Sequence, residues 1–443
     1  MTDVEILRAP LCHTPADAFR DEDALVSHED GGLAVRDGRI AACGDFASVR
    51  AAFPTASVTD WRGGLILPGF VDTHVHFPQL RILGGLGRTL LDWLEHVALP
   101  EEARMSDVAY AADTARTFVR ALVSHGTTTA LVFGSHFAAA TATLFEAASA
   151  SGMRVVSGLV VSDRLLRPDL LQSPRDAHRD STDLIRRYHG RGRLLYAVTP
   201  RFALSASEAM LEMCQTLLVE HEGLRVQTHI NESVEEIAQV PSFFPWAADY
   251  LAVYERYGLT GRHSVLAHDV HPTDGELARL ASSRTSIAHC PCSNAALGAG
   301  IFPLRRHLNA GVHFGLASDV GGGTGFGMLK EGLQAHLMQR VGPDPLVLTP
   351  SQLCYLVTKA GADAVGLGDE IGDLMPGKSA DFVYVRPPSG SPLAASLQRA
   401  ETIEQMLAGI FTLAGAESVR EVRIAGAAVH RLADASSSEP AAL

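Results

Sequence analysis

The sequence predicts an α/β fold: a (β/α)8 TIM barrel carrying a small β-sandwich domain built from both chain ends. Between about Leu65 and Val320, short apolar or β-branched runs alternate eight times with longer amphipathic stretches, the rhythm of strand-then-helix units. Residues able to ionise or bind metal recur where those runs end, on the face where barrels place their chemistry. The flanks instead hold short alternating segments and tight-turn residues. A doubly wound sheet would also alternate; eight repeats and the placement of the polar residues favour the barrel.

The first flank, residues 1–66, has alternating segments around Gly31–Gly44, with a turn at Arg36-Asp37-Gly38. Residues 67–370 supply the barrel. Its strands are expected at Leu65–His74, Thr127–Phe133, Arg154–Ser162, Leu194–Thr199, Arg225–His229, Ser264–His268, Thr285–His289 and His313–Asp319. Helix-like stretches between them include Ser106–Ser124, Ala206–Glu222 and Thr273–Ser282. The second flank, 371–432, offers strands at Asp381–Val385 and Val422–Val429, expected to pack with the first. Residues 433–443 are small and polar and read as a flexible tail.

Composition narrows the function. With 443 residues, 47% of them hydrophobic, the chain can bury a large core. A net charge of -13, from 37 basic and 50 acidic residues, repels polyanions, so no nucleic acid partner is expected. No apolar run approaches the ~20 residues that cross a bilayer, and the N-terminus lacks a secretory pattern; no membrane association and a cytoplasmic location are expected. Six scattered cysteines make no disulfide framework. Cys290-Pro291-Cys292 is too closely spaced for the usual zinc pair and has no second pair, so both read as buried structural thiols.

The chemistry begins at Pro68-Gly-Phe-Val-Asp-Thr-His-Val-His76. Alternate side chains of a strand share a face, so His74 and His76 point the same way. Three further strands end in His229, His268 and Asp319. His74, His76, His229 and Asp319 are the expected ligands of one divalent ion, zinc or alternatively iron; such a set leaves a position for water, whose pKa falls toward ~7. His268 would either ligate the ion or hydrogen-bond that water. Glu232, just beyond His229, is the favoured general acid/base, although Glu235 and Glu236 follow it and an acidic helix start would look alike. His125 and His136, flanking the second strand, are expected to be structural. Gly321–Gly327 matches neither the P-loop nor the dinucleotide-binding register; it reads as a mobile loop that lets backbone approach a substrate. There is no G-x-S-x-G elbow, and the H-x-E…P-C-x-x-C signature of another zinc deaminase fold is missing.

Together, Pro68–His76, His229-Ile-Asn-Glu232, His289-Cys-Pro-Cys-Ser-Asn294 and Ser318-Asp319 resemble the amidohydrolase superfamily, and Gly372-x-Leu374-x-x-Gly377-Lys378-x-Ala380-Asp381 is similar to its C-terminal β-domain signature. Members with two metals commonly bridge them with a carboxylated lysine at the end of the fourth strand; here no lysine precedes Lys330. The resemblance therefore implies the mononuclear deaminase branch, in which Asp319 and His268 help activate water while Glu232 moves protons. Further segments, His76-x-Pro78-Gln79, Leu90-Leu-Asp-Trp93-Leu, Thr199-Pro-Arg201-Phe202 and Asp319-Val-Gly-Gly-Gly-Thr324, resemble members acting on a purine base. They imply hydrolytic deamination of guanine to xanthine and ammonia.

Physical chemistry agrees with a flat, amide-rich substrate. Arg201 can donate to a ring carbonyl such as O6, Gln79 offers a donor and an acceptor, and Phe202 and Trp93 can cover the ring faces. Asn231 and Cys292 occupy variable motif positions and bear on fine specificity. The alternatives are a related deaminase acting on 8-oxoguanine, a pterin, a triazine or cytosine, and a non-catalytic barrel scaffold, whose ligand set should have eroded. The partner expected is a small-molecule purine base; family resemblance suggests a homodimer.

Overall fold

The computed structural model describes residues 4–432; the segment 433–443, read as a tail, lies outside the described residues. The first flank forms β1 (Glu5–His13), β2 (Val26–Arg36), β3 (Arg39–Asp45), β4 (Ser57–Asp60) and β5 (Leu65–Pro68). The barrel strands are β6 (Phe70–His76), β7 (Thr127–Phe133), β8 (Arg154–Gly158), the short β9 (Val160–Val161), β10 (Leu194–Pro200), β11 (Arg225–Ile230), β12 (Ser264–His268), β13 (Ser286–His289) and β14 (Phe314–Leu316). The second flank adds β15 (Phe382–Val385), β16 (Val419–Ile424) and β17 (Ala427–Arg431).

Both chain ends share one sheet, in the order β17-β16-β15-β5-β1-β2-β3, with β4 against β1. The expected turn closes a hairpin: β2 and β3 pair from Arg36 to Arg39 across Asp37 and Gly38, both at positive φ, as the tight turn demands. The other sheet runs β14-β13-β12-β11-β10-β8-β7-β6, every pairing parallel. Its two ends meet: His76 N–H donates to Val320 O at 2.8 Å and Asp319 N–H to His74 O at 2.9 Å. Asp72, buried, accepts from Ser318 Oγ at 2.5 Å and from Ser318 N at 3.0 Å. These bonds hold the His74/His76 strand beside Asp319.

Three expected strands are divided. Leu65–His74 is two: β5 pairs with β1 and β15 in the flank sheet, and β6 enters the barrel. They part at Gly69, where a Cβ would lie 2.2 Å from Thr128 Oγ1; only glycine lets the chain pass so close. Arg154–Ser162 is β8 followed by β9, broken where Gly158 passes so near β10 that a Cβ would sit 1.8 Å from Ala197 O. Val422–Val429 is a hairpin, turning at Ala425 and Gly426, both at positive φ. Its apolar run hides the turn because Ala425 is no ordinary turn residue; Asp381 Oδ1 accepts from its N–H at 2.7 Å.

Helices cover the barrel as amphipathic segments do. Helix Val108–Ser124 begins at Asp107, whose carboxylate accepts from the N–H groups of Ala109 and Tyr110, and it buries Ala111, Ala115, Phe118, Val119 and Leu122. Such a cap is worth about 1 kcal/mol. Helices Pro392–Arg399 and Ile403–Leu413 stand between β15 and β16 in the second flank, between the two strand-like segments read from the sequence. Val71, Leu131, Val156, Ala197, Ala288 and Ala317 pack into one buried cluster drawn from successive barrel strands, the packed interior of a closed barrel.

Candidate active site

Four donor atoms converge where β6, β11 and the segment after β14 end. His74 Nε2 and His76 Nε2 are 3.1 Å apart, and His76 Nε2 and His229 Nε2 3.3 Å. Asp319 Oδ1 lies 3.3 Å from His74 Nε2 and 3.4 Å from His76 Nε2. His229 Nδ1 is 2.6 Å from Arg201 O. A carbonyl can only accept, so Nδ1 carries the proton and Nε2 presents its lone pair. Burial pushes His74 down to about 3 and His229 well below the ordinary imidazole range, keeping both neutral. Lone pairs of neutral imidazoles crowded around a carboxylate oxygen lack hydrogen-bonding protons enough to satisfy one another. Three nitrogens and one oxygen at this spacing fit a divalent cation such as zinc.

Phe133, at the end of β7, packs on all three imidazoles, with ring centroids 4.9, 4.6 and 4.6 Å from those of His74, His76 and His229. Nothing in the local sequence set this phenylalanine apart from any other strand-end residue. His268 stands at the edge of the group. Its Nδ1 is 2.9 Å from Asn294 Oδ1, while Nε2 lies 3.5 Å from Glu232 Oε2 and 3.9 Å from Asp319 Oδ2. Asn294 belongs to the His289–Asn294 run, but its bond to His268 becomes visible only in three dimensions. The backbone is strained here: Asn231, His268, Asp269 and Asp319 all have positive φ, a costly conformation that clusters at functional sites.

Glu232 precedes the helix Val234–Phe243, which Ser233 caps; it is not part of that helix's first turn. It is 4% exposed. Burial, then Glu236 and Asp319, push its carboxyl well above the ordinary range. Glu236 had no expected role, yet it is buried beside Glu232, accepts from the Glu232 N–H at 3.2 Å and from Tyr250 Oη at 2.5 Å.

A cavity opens over these groups, lined by His76, His229, His268, Asp319 and Glu232 together with Gln79, Trp93, Arg201 and Phe202. All four expected substrate-binding residues are therefore in its wall, among Leu90, Leu94 and Leu297. Gln79 is partly committed: Nε2 donates to Glu102 Oε1 at 2.7 Å and Oε1 accepts from Gly321 N at 3.0 Å. Trp93 is buried with its indole N–H unpaired.

Cys290 and Cys292 are buried. Although Cys290 lies near His268 and Asp319, burial and the surrounding carboxylates hold its thiol protonated. Among the described residues, neither His125 nor His136 joins a group able to hold a metal. His136 instead lies 3.4 Å from Glu102. The glycine loop differs from expectation. Gly321 and Gly323 carbonyls both accept from Gly84 N–H, and the loop's tight approaches are to Gln79 and Ser318. Gly321 and Gly323 serve close packing of backbone on backbone, and none of Gly321–Gly327 lines the cavity.

Residues 65–429 match the model of the Amidohydrolase family, and residues 31–56 that of an imidazolonepropionase-like composite domain of bacteria. The chain is 55% identical over 432 residues to a probable guanine deaminase of Deinococcus radiodurans, covering 96% of this chain and 98% of the relative. Among solved structures it resembles the Escherichia coli guanine deaminase, with a TM-score of 0.93, 36% identity and coverage of 98% and 100%. It also resembles a guanine deaminase from C. acetobutylicum solved with guanine in its active site, with a TM-score of 0.89, 26% identity and coverage of 97% and 100%.

Proposed function

This chain belongs to the amidohydrolase family, and from that premise we propose that it is a metal-dependent deaminase converting guanine and water to xanthine and ammonia. The observation that carries the reading is the joining of two things in one cavity: a three-histidine, one-aspartate cluster and a wall bearing Arg201, Gln79, Phe202 and Trp93. A cavity with only apolar walls would bind many rings, whereas buried donors that go unpaired without a substrate select one that pairs them.

We assign zinc to His74, His76, His229 and Asp319; an ion held there supplies the Lewis acidity that makes water nucleophilic near neutral pH. Arg201 donates to O6 of the base and Gln79 adds its remaining N–H. Phe202 and Trp93 cover the ring faces and exclude solvent. The base is thereby oriented with C2 and its amino group toward Glu232 and Asp319. As the water oxygen bonds to C2, Glu232 accepts one of its protons and delivers it to N3. Asp319 takes the second proton, and with Glu232 it serves the amino nitrogen, which leaves as ammonia while C2 becomes a carbonyl. His268, anchored by Asn294, orients the water. The homodimer suggested by the family resemblance and the cytoplasmic location expected from the sequence are retained in this reading.

The test is direct. Purified protein should release ammonia and xanthine from guanine, hold about one metal per chain, lose activity to a strong chelator and regain it with zinc. Two ions per chain, or turnover untouched by metal removal, would overturn the assignment.

A further inference from the structure

A cationic side chain in the wall of a cavity for a neutral base poses a problem. Guanine brings no countercharge, and an unpaired buried guanidinium is costly. The structure answers with Glu102, on the short helix Leu99–Ala103, which lies behind the cavity wall. Its Oε1 and Oε2 accept from Arg201 Nη1 at 2.9 and 2.7 Å, and Oε1 also accepts from Gln79 Nε2 at 2.7 Å. Arg201 and Glu102 side chains are each 3% exposed. Burial alone would raise the Glu102 carboxyl, but Arg201, followed by His136, His76 and Gln79, outweighs it and holds the group below the ordinary range.

We propose that Glu102 is the positioning residue that presents both base-reading side chains, Arg201 and Gln79, to the substrate. The inference rests on the reading that those two residues contact the base. Glu102 occupies one nitrogen of Arg201; among the described residues, Nε and Nη2 have no protein acceptor and remain for the substrate. The backbone of the same arginine is tied to the metal cluster, since Arg201 O pairs with His229 Nδ1 at 2.6 Å and accepts from Thr228 Oγ1 at 3.3 Å. Arg201 is thus fixed at both ends, by Glu102 at the guanidinium and by His229 at the carbonyl. O6 and C2 of guanine sit at a fixed separation on a rigid ring. Setting the guanidinium relative to His229 therefore sets where C2 falls relative to the metal ligands. Glu102 touches no reacting atom and acts through its partners.

A double-mutant cycle on guanine kcat/KM tests this. Glu102→Gln keeps the shape but puts an N–H where an acceptor is needed. It should lower kcat/KM by about 10–100-fold, the range of a charge-assisted hydrogen bond, with metal content unchanged. Because Glu102 works through Arg201 and Gln79, Glu102→Gln should cost clearly less in the Arg201→Gln background than in the wild type, the remaining loss being the share that runs through Gln79. Losses that multiply would mean a general structural role, and a Glu102→Gln loss below about 3-fold would also overturn the inference. Glu102→Asp keeps the buried charge paired but withdraws it by one methylene; it serves the same comparison if Glu102→Gln does not fold. The outcomes separate the two readings. Full activity in Arg201→Gln removes the base-reading role itself, whereas a large loss there with an intact Glu102→Gln removes only the positioning role.

Discussion

Glu232 is the residue whose environment departs most from what its local sequence suggests. A glutamate just before a helix ordinarily looks like helix-start decoration. Here it is enclosed with Glu236 and His268, where burial raises its affinity for a proton, which suits the proposed role of a carboxylate that takes a proton and then returns it. Glu232→Gln should therefore keep its metal and lose at least ~10²-fold in kcat; metal analysis and steady-state rates on one preparation check both halves. A variant turning over near the wild-type rate would take Glu232 out of the proton path. That His74, His76, His229 and Asp319 would meet was legible because period-two alternation is local and puts His74 and His76 on one face, and because His229 and Asp319 stand at expected strand ends, the face where a barrel gathers its chemistry. Phe133, Asn294, Glu236 and Glu102 were not, because a phenylalanine, asparagine or glutamate carries no sign of what will face it.

Among the elements, the turn after β14 bears most on the site. Gly323 N–H donates to Asp319 O, and a Cβ on Gly323 would lie 1.8 Å from Ser318 O. Backbone cannot yield as a flexible side chain can. Gly323→Ala should cost about 1–3 kcal/mol in stability, the usual range for overpacking, and loosen metal retention because the displaced residue adjoins Asp319. Thermal unfolding and metal content after dialysis report the two effects; unchanged metal retention would show the turn to be independent of the ligand. Element type was readable where periodicity is long, as in Val108–Ser124, and boundaries were lost where a close approach decided them, as at Gly69 and Gly158. A glycine required by a neighbouring strand cannot be distinguished in sequence from one required by a turn.

Across the whole molecule, stability is coupled to pH through a buried histidine of the sheet that both chain ends share. His13, on β1, is 2% exposed, and burial pushes it down to about 4 from 6.5. Between these values the unfolded chain binds more protons than the folded one, so stability rises with pH; it is lost as pH falls from about 6.5 toward 4. One such histidine changes stability by up to ~1.4 kcal/mol per pH unit. Urea midpoints measured from pH 7 to pH 4.5 should fall faster for the wild type than for His13→Leu, and parallel curves would remove His13 from the effect. The amino-acid sequence by itself determined the strand-and-helix alternation, the order of the candidate metal ligands along it and the residue types in the cavity wall, because all of these follow from local period and local chemistry. Only the tertiary structure decided that Gln79, Glu102, His136 and Arg201, brought from four segments of the chain, share one buried charge network. Local spacing carries no record of contacts that exist only once the barrel has closed.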